Sequence, residues 1–194
     1  YLVKDAADLP GVMKEAFYIC RTGRPGPVLI DVPKDVSSAT VHTDYSETFQ
    51  LPGYRVPEEP EPDVVEKAAR MLERARRPLL LVGHGAVISG AEKSIRYLVE
   101  KMQIPVVNTL LGKGAFPETH PLSLGMLGMH GTAYANRAVE HCDLIMSIGS
   151  RWDDRIVGDT TKFCPTADRL HIDIDAAEFQ KILPTDLCVE ADAS

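Results

Sequence analysis

Residues 151–155 read Arg-Trp-Asp-Asp-Arg, the densest charge cluster in the chain. A guanidinium is a planar fork of donors that meets a phosphate through two parallel hydrogen bonds. Arg151 can face such a group while Asp153 and Asp154 orient the arginines. A surface loop stapled by its own ion pairs carries equal weight. Three other stretches are similarly small or polar: Gly83-His84-Gly85-Ala86, Thr109-Leu110-Leu111-Gly112 and Asp173-Ile174-Asp175; so is the start of the charged cluster, Gly149-Ser150-Arg151. Glycines let backbone approach a phosphate or a ring, and free amides at helix starts attract anions. A carboxylate accepts from ribose hydroxyls. Against this, Ile88 stands where the third glycine of a GxGxxG motif belongs, and glycine-rich strand ends also serve merely to turn the chain. Residues 126–131, Met-Leu-Gly-Met-His-Gly, are poor helix material yet too apolar for an ordinary surface loop. Either a flat, partly apolar group lies against them or they are irregular core. His130 by itself reads as a hydrogen-bonded structural histidine. No histidine has the partners of a Ser/His/Asp arrangement and no carboxylate pair stands out for acid–base work, so no catalytic residue is assigned. Cys20, Cys142, Cys164 and Cys188 show neither CxxC nor Cys/His spacing, so no metal ligand is assigned.

The flanking periodicity predicts the elements that must hold these residues. RPLLLVG (77–83), IPVVNT (104–109), DLIMSIG (143–149), RLHIDID (169–175) and LCVEA (187–191) read as short buried strands. Asp63-x-x-Glu66 is a capping box opening a helix with Val64, Ala68, Met71, Leu72 and Ala75 on one face. Ser89-x-x-Glu92 opens a second, with Ala91, Ile95, Leu98, Val99 and Met102 inward, and a third runs from about Thr132 to His141. Alternating helices and apolar strands imply an α/β fold, a doubly wound, mainly parallel, Rossmann-like sheet of about six strands. Ligands of such sheets bind outside the carboxyl ends of the strands, where the stretches at 83–86, 109–112, 149–151 and 173–175 fall.

Residues 8–22 read as a helix with Val12, Met13, Ala16, Phe17 and Cys20 in one stripe, and PVLIDV (27–32) as a buried strand. That αβ unit is too small to fold alone. The expected organisation is an αβ remnant of a preceding domain at 1–36, a Pro-rich linker at 37–62 and a main domain at 63–194. The opening Tyr1-Leu2-Val3 reads like the middle of a longer protein.

The chain has 194 residues, 44% hydrophobic and 25% charged, with a net charge of −7. This is a globular composition. An acidic balance argues against a nucleic-acid groove and gives no polybasic membrane signal. No apolar run approaches the ~20 residues that span a bilayer. Scattered cysteines and no signal peptide suit reduced thiols and a cytoplasmic setting.

The chain closely resembles the large catalytic subunits of the acetohydroxyacid synthases (acetolactate synthases), thiamine-diphosphate enzymes. The similar stretches are TGRPGPVLIDVPKDV (22–36), PVVNTLLGKGAFPETHPLSLGMLGMHGTAYANRAVEHCDL (105–144), GSRWDDRIVG (149–158) and HIDIDAAE (171–178). The resemblance implies that 1–36 close a pyrimidine-binding domain and that 63–194 form a central FAD-binding domain. It further implies that thiamine diphosphate and magnesium are held by parts of the full-length enzyme outside this chain, which alone is expected to be inactive. The implied FAD contacts are Arg24, Gly83, His84, Gly85, Thr109, Leu110, Leu127, Gly128, Met129, His130, Gly149, Ser150, Arg151, Trp152, Asp153, Asp173, Ile174 and Asp192. Leu127–His130 would be an extended run along the flavin, with Gly128 allowing close approach. Lys34, Asp154 and Arg155 match positions lining the substrate channel. Full-length relatives are homodimers or tetramers, with a small regulatory subunit as an optional partner. The alternatives are a glyoxylate carboligase or pyruvate oxidase-like enzyme of the same superfamily, and a stand-alone nucleotide-binding module.

Overall fold

Alternation along one strand shows how the main sheet is built. In β1 (Pro78–Val82), Leu79 and Leu81 face one apolar layer while Leu80 and Val82 face the other. A strand buried on both faces is read as a continuous apolar run, and it requires helices above and below. The computed structural model, which describes residues 1–41, 50–57 and 59–194, shows that arrangement. Around β1 lie β2 (Val106–Asn108), β3 (Ser123–Met126), β4 (Leu144–Ile148), β5 (Asp168–Asp173) and β6 (Leu187–Glu190). All five pairings are parallel, in the order β3-β2-β1-β4-β5-β6. The order reverses direction between β1 and β4, which makes their junction the switch point of a doubly wound sheet. Val82 pairs with Asn108 and with Ile148, and Ile148 pairs with Ile172, so the carboxyl ends of β1, β2, β4 and β5 are level on one edge.

The chain divides into two compact units, Tyr1–Val56 and Pro57–Ser194. In the second, α3 (Pro62–Arg74) and α5 (Glu92–Met102) cover one face with Met71, Ile95 and Val99. The other face is covered by α6 (Ala133–His141), through Ala135 and Val139, and by Phe163 and Leu183. Burying a side chain such as Leu80 or Ile145, both 0% exposed, contributes about 2 kcal/mol.

Both expected capping boxes are absent. α3 starts two residues earlier, with Glu61 at its N-cap and Pro62 in its first turn, and the Asp63 carboxylate is taken by Lys67 at 2.9 Å. A short helix, α4 (His84–Ile88), precedes α5, so Ser89 ends one helix instead of starting the next. The sixth strand, β3, escaped prediction. Ser-Leu-Gly-Met is short, its Gly125 has φ +72°, and the pairing register shifts beside β2.

In the first unit, α1 (Leu9–Arg21) begins after Asp8, whose side chain does not cap it; Asp5 instead caps the 3-10 turn Ala6–Asp8. The expected strand at 27–32 makes a single bridge, Asp31 with Leu2, and Leu29 is 81% exposed. An apolar run becomes a buried strand only where neighbours pair with it, and the described residues supply one short one. α2 (Lys34–Ser38) opens after Pro33. Of the expected linker at 37–62, residues 42–49 and 58 lie outside the described residues. Tyr54 belongs to the first unit, its hydroxyl 2.8 Å from Thr22 Oγ1.

Candidate functional site

At the switch point the β1 and β4 ends pack backbone on backbone. The Gly83 amide donates to the Ile148 carbonyl at 2.8 Å and the Gly85 amide to the Gly149 carbonyl at 3.0 Å. A Cβ on Gly83 would sit 2.1 Å from the Gly149 oxygen, and one on Gly149, where φ is +60°, 2.6 Å from Gly85 Cα. These glycines therefore exist first for each other, and two amides suited to an anion are already used. The β2 end joins them. The Thr109 amide donates to the Val82 carbonyl at 3.0 Å, and Thr109 Oγ1 accepts from the Gly112 amide at 2.9 Å. His84 Nδ1 lies 2.9 Å from the Leu111 carbonyl, tying α4 to the same loop. Leu110 is left 67% exposed on this edge.

The Leu127–His130 run is not extended. The Gly131 amide donates to the Gly128 carbonyl at 2.9 Å, closing a turn. Asn136 clamps it twice, accepting from the Gly128 amide at 2.8 Å and donating to the Gly128 carbonyl at 3.0 Å. Gly128 has φ +94°, and a Cβ there would lie 2.5 Å from the Arg155 carbonyl oxygen, so its close approach is to the chain itself. Leu127 is core, whereas Met129 and His130 are exposed.

The Arg-Trp-Asp-Asp-Arg cluster splits by role. Arg151 pairs with Asp153 at 3.1 Å, and Asp153 also caps α7 (Asp154–Val157) by accepting from the Arg155 amide. Asp154 and Arg155 are exposed and, among the described residues, make no ion pair. Trp152 points inward, 2% exposed, with its backbone at φ +52°. A bulky residue rarely adopts that conformation, so its neighbours must hold it there. Its indole nitrogen donates to Ser147 Oγ at 2.8 Å and its ring stacks on His171, centroids 4.6 Å apart and 11° between planes. Any contact from Trp152 to a ligand on the edge is thus through its backbone.

On β5, His171 Nε2 lies 2.7 Å from the Ser150 carbonyl, and Asp173 accepts from the Asp175 amide at 3.0 Å. Burial pushes the His171 imidazole below its usual range, against the nearby Asp173. Burial also lifts the Cys142 thiol to about 12. Asp192 follows β6, where it accepts from the Ser194 amide.

The 83–85, 109–112 and 149–153 loops, with Asp173 and Ile174, are thus gathered on one edge, and the 127–130 turn joins them through Arg155. Arg24 and Lys34 belong to the first unit. Sequence reasoning missed His171 and Asn136. The only available signals were a histidine within an apolar strand and an asparagine four residues after the Thr132 cap.

Residues 65–194 match the family model for the thiamine pyrophosphate enzyme central domain. An acetolactate synthase of Arthrospira platensis is 47% identical over 199 residues, covering 99% of this chain and 34% of that protein. A probable acetolactate synthase large subunit of Methanocaldococcus jannaschii is 44% identical over 196 residues, covering 100% of this chain and 33% of its own. Acetolactate synthase 2, chloroplastic, of Nicotiana tabacum is 48% identical over 183 residues, covering 93% and 27%. The chain spans about a third or less of the length of these relatives. With its doubly wound sheet and a match running from α3 to its last residue, the chain belongs to the thiamine pyrophosphate enzyme family and carries that family's central domain.

Proposed function

We propose that this chain is part of an acetolactate synthase catalytic subunit and that the carboxyl edge of its sheet holds FAD. The observation that carries the proposal is the level edge itself, on which the matched loops after β1, β2, β4 and β5 converge. The donor set fits a dinucleotide. Arg151, its side chain 56% exposed, suits the diphosphate; Asp173 and Asp192 suit hydroxyl or amine groups; Leu110 and Met129, 67% and 64% exposed, suit a flat apolar ring. FAD there orders the loops and carries no electrons through a condensation without net redox change. Asp154 and Arg155, exposed beside this edge, suit the approach of the 2-oxoacid; the family resemblance alone assigns Arg24 to FAD and Lys34 to the substrate channel. In the full-length enzyme, thiamine diphosphate with magnesium supplies the decarboxylation of pyruvate and the carbon–carbon bond to a second pyruvate or 2-oxobutyrate. Assembly as a homodimer or tetramer, an optional small regulatory subunit and a cytoplasmic setting belong to the same proposal. Among the described residues no helix is long and apolar enough to cross a membrane.

Titrating FAD against flavin fluorescence tests the site. Weak binding is expected, because ordering loop residues costs about 1 kcal/mol or more each. Arg151→Ala should weaken it about tenfold, equivalent to ~1.4 kcal/mol. Tight binding that ignores Arg151→Ala overturns the assignment. The purified chain with pyruvate, thiamine diphosphate, magnesium and FAD is expected to form no acetolactate, and measurable turnover would refute that division of labour.

A further inference from the structure

The β5 position of His171 is 1% exposed, a place an aliphatic side chain would fill more cheaply. A carbonyl only accepts, so the 2.7 Å contact with Ser150 O puts the ring proton on Nε2. Nδ1 is then a bare acceptor, buried without a partner among the described residues. A buried orphan of that kind calls for a compensating role. Gly149 makes the last ladder bond of β4 with β5, to the Ile172 carbonyl at 2.9 Å. The chain then bends at Gly149, where φ is +60°, and His171 supplies the partner that Ser150 O needs there. Two residues on, Trp152 is held at φ +52° by its bond to Ser147 and its stack on the same imidazole. Arg151 is fixed between these two anchors, and Asp153 orients its guanidinium at 3.1 Å. Phe179 meets the imidazole in a T-shaped contact, centroids 5.1 Å apart.

We infer that His171 is a positioning residue: its Nε2–H bond to the Ser150 carbonyl and its stack on Trp152 hold the Gly149–Asp153 turn in the conformation that presents Arg151 to an anionic ligand. The ligand half of this rests on the FAD site proposed above. The turn half does not.

The test uses the whole chain, FAD as probe and five variants. Gln can place an amide N–H where Nε2 stands, whereas Asn and Phe cannot. His171→Phe and His171→Asn should each weaken FAD binding about tenfold, and His171→Gln should stay within about threefold of the parent. Arg151→Ala combined with His171→Asn should be no weaker than Arg151→Ala alone, because the histidine acts through that arginine. Additive losses, or no difference between Gln and Asn, overturn the inference. Amide hydrogen exchange at 150–153 gives a readout without FAD. It should speed up in the Asn or Phe variant, whichever folds, and not in Gln, with β1 unchanged. If the parent chain fails to bind FAD while exchange follows this pattern, the FAD site falls and the turn role stands. Unchanged exchange in every variant overturns the turn role itself.

Discussion

A Cβ at Gly83 would lie 2.1 Å from a backbone oxygen, and backbone cannot swing aside as a long side chain can. Gly83→Ala should therefore destabilise the second unit by about 3 kcal/mol, read as a lower urea midpoint at unchanged slope. At His171 the sign is set by burial. Its folded pKa is depressed, so the unfolded chain binds more protons between the folded and unfolded pKa values. The stability of the neutral ring is fully present above the usual imidazole range and is lost as pH falls through the folded pKa. The groups facing the ring are Asp173 and Glu178, with Glu178 paired to Lys181 at 3.1 Å. Urea unfolding at pH 7.5 and pH 5 should show a larger acid loss for the parent than for His171→Gln. Equal losses would place the titrating group elsewhere. Cys142, lifted to about 12, and the fully buried Cys164 should resist a thiol reagent until the chain unfolds, whereas Cys20 and Cys188 are partly exposed.

The elements were legible where burial on both faces forces a pattern. LLLV, LIMSI and the stripe of α3 were read from the sequence because core layers allow little else at those positions. Local rules failed where a second local interaction competed. Lys67 took the carboxylate of one expected cap, and an unforeseen turn of helix displaced the other. The strand-end loops of the site were legible because a parallel sheet must bring them to one edge. His171 and Asn136 were not, since a bond to Ser150 or to Gly128 depends on a pairing that no local spacing encodes. Asn136 acts at this scale, joining α6 to the turn after β3. Asn136→Ala removes both bonds from Gly128 and should cost about 2 kcal/mol, with faster amide exchange at 127–131 than at β4. Exchange that rises equally in β4 would mean a global loss instead.

At the scale of the whole molecule the two units differ in core. Within the described part of Tyr1–Val56, only Val3, Ala16 and Val36 are buried hydrophobics, while the second unit has apolar layers on both faces of its sheet. Amide protection should follow, with α1 exchanging orders of magnitude faster than β1 and β4. The strand order also fixes a sequence of events in time. β1 meets β2 across the α4–α5 connection, but its other neighbour, β4, arrives only after β2, β3 and α6 have been made. Closing that longer loop costs more chain entropy and comes late. The glycine junction, and with it the proposed ligand edge, is therefore the last part of the sheet to assemble. Refolding followed by pulsed exchange should protect β1 and β2 before 149–153.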